Sequence, residues 1–202
     1  MLEDRKFDSK KIDQLDSPER AARFDVDGIM SQLPIKPHHV VAEIGCGTGF
    51  FTIPLSRRLP QGRVIALDIL EEMLDRVRNK VEQAGAANVA AMLCGETDLP
   101  LEPDSVDGVF LAFLLHEMED RADFLERVRG HLRPGGWVGI LEWVKKETGM
   151  GPPLSVRLDP DEGRELAVRA GLRVVGGKAI SENFYMIILE KRSADQAHNT
   201  LS

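Results

Sequence analysis

Three glycines at alternate positions, Gly45, Gly47 and Gly49, follow an apolar run over residues 40–44 that carries one acid, Glu43. Such a loop lets the backbone take positive φ and lets a ligand approach with no Cβ in the way. Residues 50–58 have helical spacing, so the loop is expected to open a helix whose free N–H groups face that ligand. Glu43 would repel a pyrophosphate but would suit a cationic group. A second apolar run ends in Asp68, roughly 20 residues beyond the last glycine, the offset at which a carboxylate meets a ribose diol in dinucleotide-type sites. Its two oxygens can accept both hydroxyls. Farther on, His116-Glu117 closes another apolar stretch, and an imidazole there is suited to take a proton from an N–H, O–H or C–H. Plainer alternatives stand beside each reading. The loop is then an ordinary strand-to-helix turn, Asp68 the N-cap of the next helix, and His116 a packed side chain that only holds geometry.

These residues need a frame that gathers them at one edge. From residue 40 onward strand-like and helix-like segments alternate, which predicts a mostly parallel sheet with helices on both faces. The expected strands cover 40–44, 64–68, 89–93, 107–115, 137–144, 172–175 with an extension toward residue 180, and 184–189. Helices are expected over 50–58, 70–84, 121–132 and 160–170, with a loop over 145–158. Gly176-Gly177 marks a bulge or turn. The last two strands are joined without a helix and should pair antiparallel. Ligands of such sheets sit outside the carboxyl ends of the strands, where all the candidate residues fall.

At the E-I-G-C-G-T-G loop and Asp68 the chain resembles the class I S-adenosylmethionine-dependent methyltransferases. The likeness continues through Gly95-Glu96-Thr97-Asp98-Leu99-Pro100, Leu115-His116-Glu117 and Leu132-Arg133-Pro134-Gly135-Gly136, and its nearest flavour is the ubiquinone/menaquinone C-methyltransferases. The resemblance implies a Rossmann-like, seven-stranded, mostly parallel α/β sheet with an antiparallel C-terminal hairpin. It implies S-adenosyl-L-methionine as methyl donor. Gly45, Cys46, Gly47 and Gly49 would wrap the methionine part and Glu43 would support its end. Asp68 would hold the ribose, and Ile69 and Met73 the adenine, although Met73 fits plain core as well. Gly95, Glu96 and Thr97 would border the adenine, Glu96 standing where family members often have aspartate. Ala112 and Phe113 would line the donor through their backbone. His116 is the candidate base. Glu142 and Trp143 end the fifth strand beside the expected acceptor. Trp143 and Arg157 would make a pocket for a planar or acidic acceptor, unless the tryptophan merely caps its loop.

The N-terminal section, residues 1–37, is read as a helical cap ahead of a methyltransferase domain over 38–192, with a frayed tail over 193–202. A helix should start at Ser17-Pro18-Glu19 and stop at Pro34. It either packs on the sheet edge or forms a lid in which Arg20, Arg23 and Phe24 touch substrate. The chain has 202 residues and an apolar share of 43%, enough for a folded core. A net charge of −7 without long basic runs disfavours nucleic acid and favours a small-molecule acceptor. No apolar run approaches a membrane span, and two cysteines, Cys46 and Cys94, suggest a reducing, cytoplasmic setting. No metal-ligand set appears, and oligomeric state stays open. Enzymatic methyl transfer by direct displacement is the leading reading. A donor-binding module without catalysis and a nicotinamide oxidoreductase are the others; the glycine spacing and the antiparallel hairpin count against the oxidoreductase.

Overall fold

The computed structural model describes residues 9–96 and 98–193, with side chains from residue 12 onward. Residues 1–8, Thr97 and the expected tail beyond Ser193 lie outside the described residues. The chain divides into two compact units, one ending at Pro100 and the other beginning at Leu101.

The first unit opens with a 3-10 helix, Ser9–Asp16. The single helix expected from Pro18 to Leu33 is instead two short ones, α1 (Pro18–Ala21) and α2 (Val26–Met30). Asp25 breaks it. Its backbone leaves helical geometry (φ −77°, ψ 83°), and its side chain accepts the Gly28 N–H at 2.9 Å, capping the second helix. Ile29, Met30 and Leu33 are buried, as their spacing predicts. Then follow β1 (Val40–Ile44), α3 (Thr52–Arg57), β2 (Arg63–Asp68), α4 (Glu71–Ala84) and β3 (Val89–Leu93). The three strands run parallel in the order β3-β2-β1. Val41 and Val64 face each other in register, so the glycine loop and Asp68 emerge from neighbouring carboxyl ends. The α4 helix buries Met73, Leu74 and Val77 and ends where Gly85 takes φ 62°, which a Cβ would oppose.

The second unit holds β4 (Val106–Ala112), a 3-10 turn at Leu115–Glu117, α5 (Arg121–His131), β5 (Leu132–Trp143), α6 (Pro160–Arg169), β6 (Arg173–Ala179) and β7 (Phe184–Glu190). Its strand order is β4-β5-β7-β6; β4 and β5 are parallel, while β7 is antiparallel to both neighbours. Seven strands are thus present among the described residues, mostly parallel, with the antiparallel C-terminal pair that the missing helix predicts.

Two boundaries differ from expectation. The β4 strand stops at Ala112 rather than residue 115, because Phe113 turns into the left-handed region at φ 58°. His116 therefore sits in a 3-10 turn beyond the strand. The β5 strand starts at Leu132, since Pro134-Gly135-Gly136 is absorbed as a bulge between the Val106–Leu132 and Gly108–Trp137 pairs. Gly108 is required there: a Cβ would lie 2.2 Å from the Trp137 ring. A bulge in β6 falls between Val174 and Gly176, beside the expected glycines. No helix among the described residues is long and apolar enough to cross a membrane.

Candidate active site

In the first unit the loop between β1 and α3 is held by backbone bonds to the end of β2. Gly45, Gly47 and Gly49 all have positive φ, at 70°, 53° and 82°. The N–H groups of Gly45 and Cys46 both donate to the Leu67 carbonyl, at 2.8 and 3.0 Å. A Cβ on Gly47 would meet only a Leu15 methyl at 3.6 Å, whereas on Gly49 it would press Val77 at 3.2 Å. The middle glycine of the loop therefore has room around it, and the last is closed by helix packing. Cys46 is buried with Ala66, Leu74 and Val77, and burial pushes its thiol pKa far up. Its side chain belongs to the core, leaving only its backbone to the loop.

Asp68 ends β2 with its carboxylate turned to the loop. Oδ2 accepts the Gly47 N–H at 2.8 Å and Oδ1 accepts the Leu70 N–H at 3.0 Å. Burial raises its pKa against the opposing bonds from the backbone of Leu70, Gly47 and Ile69. The N-cap alternative does not hold: Leu70 occupies the cap position of α4, with no side-chain bond. A carboxylate has about four lone-pair sites, so acceptor capacity for a diol remains after these backbone bonds. Ile69, next in sequence, is 44% exposed, so its apolar face is available to a flat ring. Met73 is buried at 3% and packs as core. Gly95 and Glu96 follow β3, where the Gly95 N–H donates to the Asp98 carbonyl at 2.9 Å and Glu96 is exposed.

Glu43 lies beneath the loop, 2% exposed, and accepts the Thr52 hydroxyl at 2.5 Å. Burial drives its pKa up to about 8, with Thr52 opposing and Asp68 adding to the rise. A buried acid of this kind is stabilised by an incoming cation. Diol acceptors, an open glycine cradle, an exposed apolar flank and a buried acid together fit a nucleoside carrying a cationic tail.

The segment ahead of the loop is tied onto it. The Thr48 hydroxyl donates to Asp16 Oδ1 at 2.6 Å, and Lys80 reaches the same oxygen at 2.5 Å. Arg20 stacks over Phe50 at 4.5 Å and over Phe24 at 5.4 Å, and donates to the Leu15 carbonyl at 2.8 Å. Arg20 and Phe24 thus brace the glycine-loop helix from the N-terminal side.

In the second unit the backbone turn at Phe113 delivers His116 against Glu142 on β5. His116 Nδ1 is 2.9 and 3.1 Å from the two Glu142 carboxylate oxygens, and its backbone N–H donates to Oε1 at 3.2 Å. The Trp143 N–H donates to Oε2 at 3.2 Å. Both side chains are almost wholly enclosed, His116 at 4% and Glu142 at 1%. Burial alone would lower the His116 pKa, but the Glu142 charge and hydrogen bond, with Glu117, turn the net shift upward. Sequence reading placed Glu142 at a strand end without pairing it to His116. The parallel register that sets Ala112 opposite Leu141 makes the pair, and no local signal announces it.

Ala112 ends β4, and Phe113 clusters with Trp143 and Phe184, ring centroids 5.5 and 5.3 Å away. Arg157 lies 5.2 Å from the Trp143 ring but faces its own loop. Its guanidinium donates to the carbonyls of Pro152, Val144 and Lys146, to the Thr148 hydroxyl, and to the Met150 carbonyl. That arrangement organises residues 144–152 and leaves no fork for an acidic acceptor. No group of three or more His, Cys, Asp or Glu suited to a metal occurs among the described residues.

A family profile described as a methyltransferase domain matches residues 41–136. The crystal structure of a SAM dependent methyltransferase from Aquifex aeolicus is 30% identical, superposes with a TM-score of 0.87, and covers 92% of this chain and 100% of its own. The ubiquinone/menaquinone biosynthesis C-methyltransferase of Marinomonas sp. is 31% identical over 68% of this chain and 57% of its own length. The [4+2]-cyclase SpnF shares the fold at a TM-score of 0.75 over 87% of this chain and 83% of its own, with 15% identity. This chain spans about half the length of the curated relatives it matches.

Proposed function

We propose that this chain, which belongs to the S-adenosylmethionine-dependent methyltransferases, transfers the donor's methyl group to a small-molecule acceptor by direct displacement at the sulfonium. The observation that carries the reading is Asp68, whose carboxylate is locked to Gly47 and Leu70 with acceptor capacity to spare for the ribose hydroxyls. Glu43 and the backbone of Gly45, Cys46 and Gly47 serve the methionine end, and Ile69, with Gly95 and Glu96, the adenine. His116 takes the acceptor's proton. Displacement needs chiefly in-line positioning and exclusion of water. The Asp16–Thr48 latch and the Arg20–Phe24–Phe50 stack, at the N-terminal side of the loop, supply cover rather than chemistry.

A net charge of −7 supports a small acceptor over nucleic acid. Both cysteines are free thiols, in keeping with a reducing, cytoplasmic setting. The test is titration calorimetry with S-adenosylmethionine, its demethylated product and NAD in parallel. Micromolar binding of the first two and none of the third is expected. Failure of both methionine derivatives to bind would leave the glycine loop a scaffold turn and sink the proposal.

A further inference from the structure

We infer that Asp16 is a positioning residue of the donor site, a role that rests on the methyltransferase reading above. Acting through Thr48, it holds the glycine loop in the shape that receives S-adenosylmethionine, and so couples docking of the N-terminal segment to donor affinity. Two adjacent loop residues are fixed by two aspartates. The Gly47 N–H donates to Asp68 Oδ2 at 2.8 Å, and the Thr48 hydroxyl donates to Asp16 Oδ1 at 2.6 Å. Asp68 ends β2, next to the loop's own strand, whereas Asp16 ends the 3-10 helix Ser9–Asp16, 32 residues before Thr48. Thr48 is 1% exposed, and its one hydroxyl proton is committed to Asp16.

Asp16 is itself held in place. Lys80 reaches its Oδ1 at 2.5 Å, Arg76 stands 4.0 Å from its Oδ2, and Arg76 also pairs with Asp13 at 2.6 Å. Both bases lie on α4, the helix whose Val77 closes Gly49. The N-terminal segment is therefore moored to the same helix that packs on the loop, and Thr48 is the loop's hydrogen bond to it.

The loop needs such a tether for a physical reason. The glycines that make room for a ligand also leave the backbone free to take other shapes. A loop already fixed when the donor arrives loses no binding energy to ordering, whereas a loose one does. The coupling is reciprocal: whatever factor the docked segment adds to donor affinity, the donor adds to docking of the segment.

Titration calorimetry and hydrogen–deuterium exchange on the full chain test this with S-adenosylhomocysteine as the probe. Asp16→Ala and Thr48→Val should each weaken its binding about 10-fold, the loss of one charge-assisted hydrogen bond felt through the loop. The double variant should bind no more weakly than Asp16→Ala, because both changes break one contact. Asp16→Asn, whose amide oxygen can still accept the Thr48 hydroxyl, should recover most of the affinity. Amide exchange over residues 12–24 should slow about 10-fold when the probe saturates the unaltered chain, matching the loss in the variants. Thr48→Val should lose that response while exchange over residues 40–44 stays slow, which shows that the variant is folded. Unaltered affinity in both single variants, or losses that add in the double variant, would leave the pair a structural contact only. Exchange over residues 12–24 indifferent to bound probe would overturn the coupling. Failure of the unaltered chain to bind the probe would instead strike the methyltransferase reading itself.

Discussion

At the scale of single residues, two carboxyl groups in the first unit have opposite duties. Asp68 presents acceptors, so Asp68→Ala should weaken S-adenosylmethionine binding by roughly 10- to 100-fold, the loss expected for hydrogen bonds to a charged group. Calorimetry measures it, and unchanged affinity would remove Asp68 from the site. Glu43 is held neutral instead. With its folded pKa raised to about 8 from an ordinary 4.5, the native state holds a proton that the unfolded chain gives up across that window. Stability should therefore fall with rising pH between about 4.5 and 8, by about 1.4 kcal/mol per pH unit at most. Glu43→Gln should flatten the slope in denaturant titrations at several pH values. Binding of a cationic donor should also expel the proton, which appears as a binding enthalpy that depends on the buffer's heat of ionisation. A buffer-independent enthalpy at pH 7 would refute a neutral Glu43.

At the scale of elements, the loop after β5 is a side-chain construction. Arg157 gathers carbonyls from Val144 to Pro152, and Gly151 at φ 80° lies flat on the Trp143 ring, where a Cβ would stand at 2.8 Å. Arg157→Lys keeps the charge and loses the planar set of donors. It should cost about 2 kcal/mol and lower Tm by roughly 4–8 °C for a chain of this size, seen in a thermal melt. The strands over 40–44 and 64–68 were legible because buried parallel strands are largely apolar runs bounded by turns, whereas 89–93 reads the same way although it ends the strand order and stays largely exposed. The end of β4 was not, since 112–115 stays apolar while Phe113 turns the backbone, and hydrophobicity carries no record of φ. The start of β5 was hidden for the converse reason: Pro134-Gly135-Gly136 reads as a stop but is a bulge within a strand. Asp25 shows the same limit, a capping aspartate inside a plausible helical face. Of the site, the glycine loop and Asp68 could be read because they are local motifs with fixed spacing. The partnership of His116 with Glu142 could not, because strand register creates it.

At the scale of the whole molecule, ligand binding and folding are linked. Only the native chain presents Asp68 beside Gly47, so donor at 100 times its Kd should add about 2.7 kcal/mol to stability and raise Tm by roughly 5–10 °C. NAD at equal concentration should leave the melt unchanged, and equal stabilisation by both would speak for a nonspecific nucleotide site. The fold alone could not have made this distinction, since the same architecture appears in the [4+2]-cyclase SpnF.

The β5 strand has a consequence for how this protein can be watched. Its two tryptophans lie on that one strand, Trp137 in the middle and Trp143 at the end, about 20 Å apart on an extended backbone. Trp137 is sealed over Gly108 in the core, while Trp143 is half-buried among Phe113, Phe184 and the guanidinium of Arg157. The molecule thus carries two optical reporters with separate audiences. Emission from Trp137 follows global unfolding, and emission from Trp143 follows the loop that Arg157 holds. Trp143→Phe silences the second without touching the first, so the difference between the two proteins' spectra isolates the loop.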